Sequence, residues 1–203
     1  MPRVKKAETR DHILDAARRL FSENGYHDTS VADIIQAVGM AQGSFYNYFK
    51  SKNDIFKHLL ESFVNEVRET LDRLKIETIK TEADYVQMAL QIGSEISHLF
   101  LHDKKLTRIF VWEAVGVNQE YDSILDQSYR DFSDYSKRYI EKGKELGIIR
   151  DEVNAAIVGS ATIGMSIHVI TRRLRGDLDD FTDQEIMQSI FDLQLRGILK
   201  KKS

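Results

Sequence analysis

Between Gly39 and Lys52 lies a cluster of side chains suited to reading a polar surface: Gln42, Ser44, Tyr46, Asn47 and Tyr48. All are small donors, acceptors or phenols, and no carboxylate stands among them. Side-chain amides can pair bidentately with an adenine edge, and hydroxyls can donate to phosphate. A second cluster is Glu95, His98 and His102, at i, i+3 and i+7. Two imidazoles four residues apart can clasp a divalent metal, with Glu95 nearby. Two polar residues on a solvated helix face, or one in a pocket, are the plainer account, so neither metal nor cofactor is expected. Catalytic chemistry finds no footing. HExxH, Walker, GxGxxG and CxxC patterns are absent. The stretch Gly164 to His168 (GMSIH) mimics part of a nucleophile elbow, but it lacks the closing glycine and the strand–turn–helix setting. No catalytic residue is assigned, and the chain does not read as an enzyme.

The first cluster needs a scaffold, and its flanks supply one. Ser30 is a good N-cap, and Asp33 three residues later has capping-box spacing. Val31, Ile34, Ile35 and Val38 give a short apolar face. Gly39 then suits a left-handed helix end. A second helix is expected over Gln42–Phe49, with Phe45 and Phe49 at i and i+4 on its inner side. Helix, glycine turn and short acid-free helix together suit a helix-turn-helix whose second helix enters a major groove.

The run GMAQGSFYNYFKSKNDIF, after AARRLFSENGYHDTSVADI, closely resembles the DNA-binding domain of the tetracycline-repressor (TetR/AcrR) family. The shared features are an Ala-Ala-x-x-Leu-Phe helix, Gly25-Tyr26, Thr29-Ser30, Gly39, Gly43, Phe45-Tyr46, Phe49 and Lys52. They cover about the first quarter of the chain. The resemblance implies that Ser30 and Lys52 bind phosphates from their helix N-termini. It implies that Gln42 and Ser44 meet base edges. Tyr46 and Tyr48 would touch phosphate, sugar or a thymine methyl, and Asn47 could do either. Packing inside the small domain is the alternative for both tyrosines. Ala41 stands where the family often has Ser, and Gln42 where Lys is frequent, which leaves the operator sequence open.

Composition fits this reading. The 203 residues carry a net charge of −3, are 30% charged and 42% hydrophobic, and contain one proline, Pro2. Residues 1–52 sum to +2 and the remainder to −5. Position matters more than the total: Arg3, Lys5, Lys6, Arg10, Lys50 and Lys52 flank the reading cluster, where phosphate contacts belong. The absence of cysteine excludes disulfides and thiolate metal sites and favours a reducing, cytoplasmic setting. No apolar run reads as a membrane span, and MPRVKKAETR does not read as a signal peptide.

Apolar periodicity continues to the C-terminus, giving an all-α expectation of about nine helices. Residues 1–6 read as a basic, mobile arm, followed by helices near 7–23, 52–74, 82–101, 103–115 and 119–146. An eighth is opened by Asp151 or Glu152, and a ninth is started by the Thr182/Glu185 capping box. We expect an N-terminal domain over 1–52, joined through the helix at about 52–74 to a larger domain over 53–203. The resemblance implies that the larger domain binds ligand and dimerises. Phe100, Phe110, Trp112, Tyr129, Phe132 and His168 are the candidate pocket residues, with ordinary core as the alternative. Ala156, Ser160 and Gly164 form a small-residue row that, with Phe191, Leu195 and Ile198, is the candidate homodimer interface. The expected function is a ligand-responsive regulator, a repressor binding a pseudo-palindromic DNA operator as a dimer and released by a small apolar or amphipathic effector. The alternatives are a helical ligand- or metal-binding protein, or a regulator without an effector.

Overall fold

The computed structural model describes residues 3–198, apart from the side chains of residues 3–5, 187, 195, 196 and 198. Among these residues there are nine α-helices and no strand: α1 Arg3–Asn24, α2 Val31–Val38, α3 Gln42–Phe45, α4 Lys52–Arg73, α5 Glu82–His102, α6 Lys104–Arg108, α7 Gln119–Glu145, α8 Ala155–Leu174 and α9 Asp183–Ile198. A 3₁₀ turn, Ile76–Thr78, precedes α5, and a π-helical turn, Ile109–Glu113, follows α6.

The chain divides into two compact units. One comprises residues 1–65 and 103–125, the other residues 66–102 and 126–203. This differs from the expected cut at 52/53, because α6, the π turn and the start of α7 return to the first unit. The reason is specific pairing. Asp103 caps α6 through Leu106 N–H (2.9 Å) and accepts from the Arg18 guanidinium of α1 at 2.6 Å. Glu113 accepts the Tyr26 amide N–H at 2.9 Å. Tyr121 donates to Asn53 Oδ1 at 2.6 Å. Around them Phe21, Tyr26, Phe56 and Tyr121 form a cluster of edge-on and tilted rings, with Tyr26–Phe56 centroids 4.5 Å apart and Phe56–Tyr121 centroids 5.0 Å apart.

The second unit packs Val67, Leu71, Tyr85, Phe100, Phe132, Tyr135 and Ile140, all at most 8% exposed. Tyr135 donates to the Leu74 carbonyl at 2.8 Å, and Tyr85 stacks on Tyr139 with centroids 4.3 Å apart. Gly143 makes room for that stack, since a Cβ there would lie 2.8 Å from the Tyr85 ring. Helix α8 meets α7 through Gly159, where a Cβ would stand 3.0 Å from the Ser133 carbonyl and the Lys137 nitrogen. The row Ala156, Ser160 and Gly164 faces outward instead, and nothing lies within 4 Å of a Cβ at Gly164.

Several expectations are corrected. Residues 3–6 are helical and continue α1. Helix α3 ends at Phe45, not Phe49: Ala41 offers no side-chain cap, and the bonds Asn47 N–H to Ser44 and Tyr48 N–H to Phe45 are of the i→i+3 kind. The single helix expected over 103–115 is α6 plus the π turn. Helix α8 is opened by Asn154, whose side chain accepts from Ala156 and Ile157 N–H, and not by Asp151 or Glu152. Helix α8 is also long and apolar enough to cross a membrane, because its Ser, Thr and Gly are only weakly polar. Leu199 and the basic tail lie outside the described residues.

Candidate nucleic-acid interface

The reading head is built on three fixed points. Ser30 Oγ accepts Asp33 N–H at 3.1 Å, and Asp33 accepts the Ser30 amide at 2.8 Å, closing the capping box of α2. The Ser30 hydroxyl, which donates to the Asp33 carboxylate, and then the Ser30 amide hold the Asp33 carboxyl below its ordinary range. Gly39, at φ +70°, caps the other end with its N–H on the Ile35 and Gln36 carbonyls. Phe45 and Phe49 then anchor α3 and the turn after it, at 0% and 2% exposure. What remains outside is Gln42, Ser44, Tyr46 and Asn47, all exposed, with Tyr46 at 53%. Tyr46 stands edge-on to Phe45, centroids 5.4 Å apart. Tyr48 is half-buried.

Two expected phosphate ligands are otherwise engaged. The Ser30 hydroxyl also donates to Asp33 Oδ2 at 2.7 Å, so a phosphate there would meet a carboxylate. The Lys52 ammonium donates to the Tyr26 carbonyl at 2.7 Å and the His27 carbonyl at 3.3 Å, and lies 4.3 Å from the Tyr26 ring centroid. Burial holds its pKa below the ordinary lysine value, and the Asp28 charge pulls it back up. Lys52 therefore braces the loop before α2. Arg10 is similarly occupied, 3.1 Å from His58 Nε2 and stacked over Phe49 at 4.9 Å. Burial first, then the Arg10 cation, pushes the His58 pKa down. Lys50 remains exposed.

A cavity of about 190 Å³ lies within the second unit, lined by Val67, Ile92, Ile96, Ile167 and other largely apolar residues of α4, α5, α7, α8 and α9. Of the six expected pocket residues, Phe100 and Phe132 line it. The other four do not. Phe110 packs on Phe63 at 5.1 Å in the first unit. Trp112 belongs to the same unit, under the Arg108 guanidinium at 5.2 Å. Tyr129 is half-buried off the wall, and His168 is on the exposed face of α8. Phe191, expected at the dimer interface, lines the cavity, while the side chains of Leu195 and Ile198 lie outside the described residues. Sequence reading also passed over Arg173, Asp183 and Gln194 on the cavity wall. Their signal was a polar residue on an otherwise apolar helix face. His98 and His102 stack at 5.1 Å but are exposed, and Glu95 is drawn to Arg73 at 3.9 Å. Among the described residues no group of three or more metal-ligating side chains assembles.

Residues 13–59 match the family described as bacterial regulatory proteins, tetR family. Over 97% of its length the chain is 28% identical to YdgC of Bacillus subtilis (strain 168), an uncharacterized HTH-type transcriptional regulator, covering 96% of that protein. Its fold is similar to that of the MbdR regulator from Azoarcus sp. CIB, with a TM-score of 0.80 and 19% identity over 93% of this chain and 98% of that one. It is likewise similar to FadR from Bacillus subtilis, solved in complex with stearoyl-CoA, with a TM-score of 0.73 and 23% identity over 92% and 98% of the two chains. The capped α2, the left-handed turn at Gly39 and the short exposed α3 all fall inside the matched segment. Residues 13–59 thus form a tetR-family DNA-binding segment, and over nearly its whole length the chain is similar to an HTH-type transcriptional regulator, not to an enzyme.

Proposed function

We propose that this protein is a cytoplasmic transcriptional repressor that binds a pseudo-palindromic operator as a homodimer and is released by a small apolar or amphipathic effector held in the cavity. The observation that carries the reading is the exposed, acid-free row Gln42, Ser44, Tyr46 and Asn47, held rigid from beneath by Phe45 and Phe49. Gln42 and Ser44 read base edges, Tyr46 contacts sugar or a thymine methyl, and Lys50 supplies charge toward phosphate. One such head makes few base contacts, and two-fold pairing doubles them. The outward face of α8, with Ile157 at 67% exposure, supports pairing through that helix. An apolar cavity, and stearoyl-CoA in the similar FadR, support an effector with a carbon-rich body. The effector acts only through a difference in its affinity for the DNA-bound and free conformers, so operator must weaken effector binding by the same factor.

The test is selection of bound duplexes from a random pool with purified full-length protein at two salt concentrations. We expect an enriched pseudo-palindrome whose half-sites lie about one helical turn, or a multiple, apart, with affinity falling steeply as salt rises. No enrichment from folded, dimeric protein refutes the proposal.

A further inference from the structure

Polar groups on the cavity wall are few, and most are committed. Thr162 Oγ1 donates to the Val158 carbonyl at 2.9 Å, and Ser166 Oγ donates to the Thr162 carbonyl at 2.9 Å, both within α8. The Tyr139 hydroxyl donates to the Tyr85 carbonyl. The Arg173 side chain is only 16% exposed. It lies 2.9 Å from Asp179, 3.1 Å from Asp183 and 2.8 Å from the Leu178 carbonyl. One cation thus answers two carboxylates, and one of these, Asp183, itself lines the cavity. Gln194 differs: its Nε2 is buried with no hydrogen-bond partner, and the residue lines the cavity.

We propose that the cavity takes a neutral, largely apolar ligand bearing one accepting carbonyl oxygen (a ketone, ester or amide) received by Gln194 Nε2, and that it discriminates against the free carboxylic acid of the same chain. This rests on the reading of the cavity as the effector site. A buried N–H without an acceptor has lost its water and gained nothing, so a ligand oxygen that reaches it recovers that loss. A carboxylate entering the same space would need a cation. Arg173 is already shared between Asp179 and Asp183, and a third anion beside them would be buried without a counter-charge. Size narrows the class further. A dry cavity of about 150 Å³ accommodates benzene, so 190 Å³ suits a ligand of about eight non-hydrogen atoms.

The experiment is calorimetric titration of the full-length protein, without DNA, with 2-octanone, octanoate and toluene at pH 7.5. The Gln194→Leu and Gln194→Met variants are titrated alongside, each checked by circular dichroism. We expect 2-octanone to bind at least tenfold more tightly than octanoate. Either variant should weaken 2-octanone by about tenfold and leave toluene within twofold. Octanoate binding as tightly as 2-octanone, or an unchanged 2-octanone affinity in both variants, overturns the proposal while leaving the cavity as an effector site. Toluene binding with neither eight-carbon compound binding overturns it likewise. If none of the three binds, the effector-site reading falls with it.

Discussion

Lys52 separates two accounts of the same charge, phosphate ligand or internal brace, and Lys52→Met decides between them. Methionine keeps much of the apolar stem and removes the ammonium. The lost bond to the Tyr26 carbonyl, 2.7 Å long, has a charged donor and is worth about 1.5–3 kcal/mol. The Tyr26 ring at 4.3 Å adds about 0.5–1 kcal/mol. The bond to the His27 carbonyl is exposed, and water can replace it. Water can also partly satisfy Tyr26, so the low end applies, and we expect a loss of about 2 kcal/mol. With a urea slope of about 2 kcal/mol/M, the midpoint falls by about 1 M. The chain has a single tryptophan, Trp112, and it lies in the first unit, so its fluorescence follows the unit that Lys52 braces. The second assay is the slope of log affinity for operator against log salt. A brace leaves that slope unchanged for folded protein, whereas a phosphate ligand lowers it by about 0.9 per site. An unchanged urea midpoint together with a reduced slope would refute the brace.

Two further outcomes follow from the second unit. Gly164→Leu adds bulk where nothing lies within 4 Å, so it should leave the circular dichroism spectrum and the fold of one chain intact. By sedimentation it should raise the dimer dissociation constant at least tenfold; an unmoved constant would remove this face of α8 from the interface. Burial pushes the Tyr135 hydroxyl up to about 12, while the Arg138 cation pulls it down. Its folded pKa exceeds the unfolded value of 10.0, so native protein holds this proton longer. The stabilisation is full below pH 10 and is lost as pH rises from 10 towards 12, amounting to about 3 kcal/mol. Urea unfolding across pH 9–12 measures it. Tyr135→Phe should make that decline shallower, the buried Tyr85, Tyr121 and Tyr139 keeping their share of it, and an identical slope in the variant would refute the assignment.

What the sequence disclosed was local. The boxes Ser30/Asp33 and Thr182/Glu185 and the left-handed Gly39 are each decided within five residues, and each stands where expected. What it concealed was partnership at long range. Phe110 and Trp112 carry an unmistakable apolar signal, but periodicity says only that a face is covered, never by which element. Lys52 sits at a helix start, where phosphate would be welcome. Its acceptors are instead carbonyls 25 and 26 positions earlier. The shortness of α3 escaped for another reason: an i, i+4 pair such as Phe45 and Phe49 can face one way in a helix or in a helical turn followed by i→i+3 bonds.

Helix α8 shows how an ambiguous composition is resolved by its neighbours. From Ala155 to Thr171 it carries no Asp, Glu, Lys or Arg, so its outward face of Ile157, Ser160, Ala161 and Gly164 lacks the charge that water-facing helices usually show. Lipid or protein would cover such a face. Lipid requires that whatever packs against the helix also tolerate hydrocarbon. The helix pressed against Gly159 is α7, whose segment beside it contains Asp131, Asp134, Lys137 and Arg138, and such charges in a bilayer core are severely unfavourable. Protein cover requires only a surface able to come close, which a row of Ala156, Ser160 and Gly164 permits. A second copy of the same helix offers that row by symmetry. The feature that makes α8 look membrane-like therefore supports the homodimer, and the homodimer is what a short reading head needs to recognise an operator.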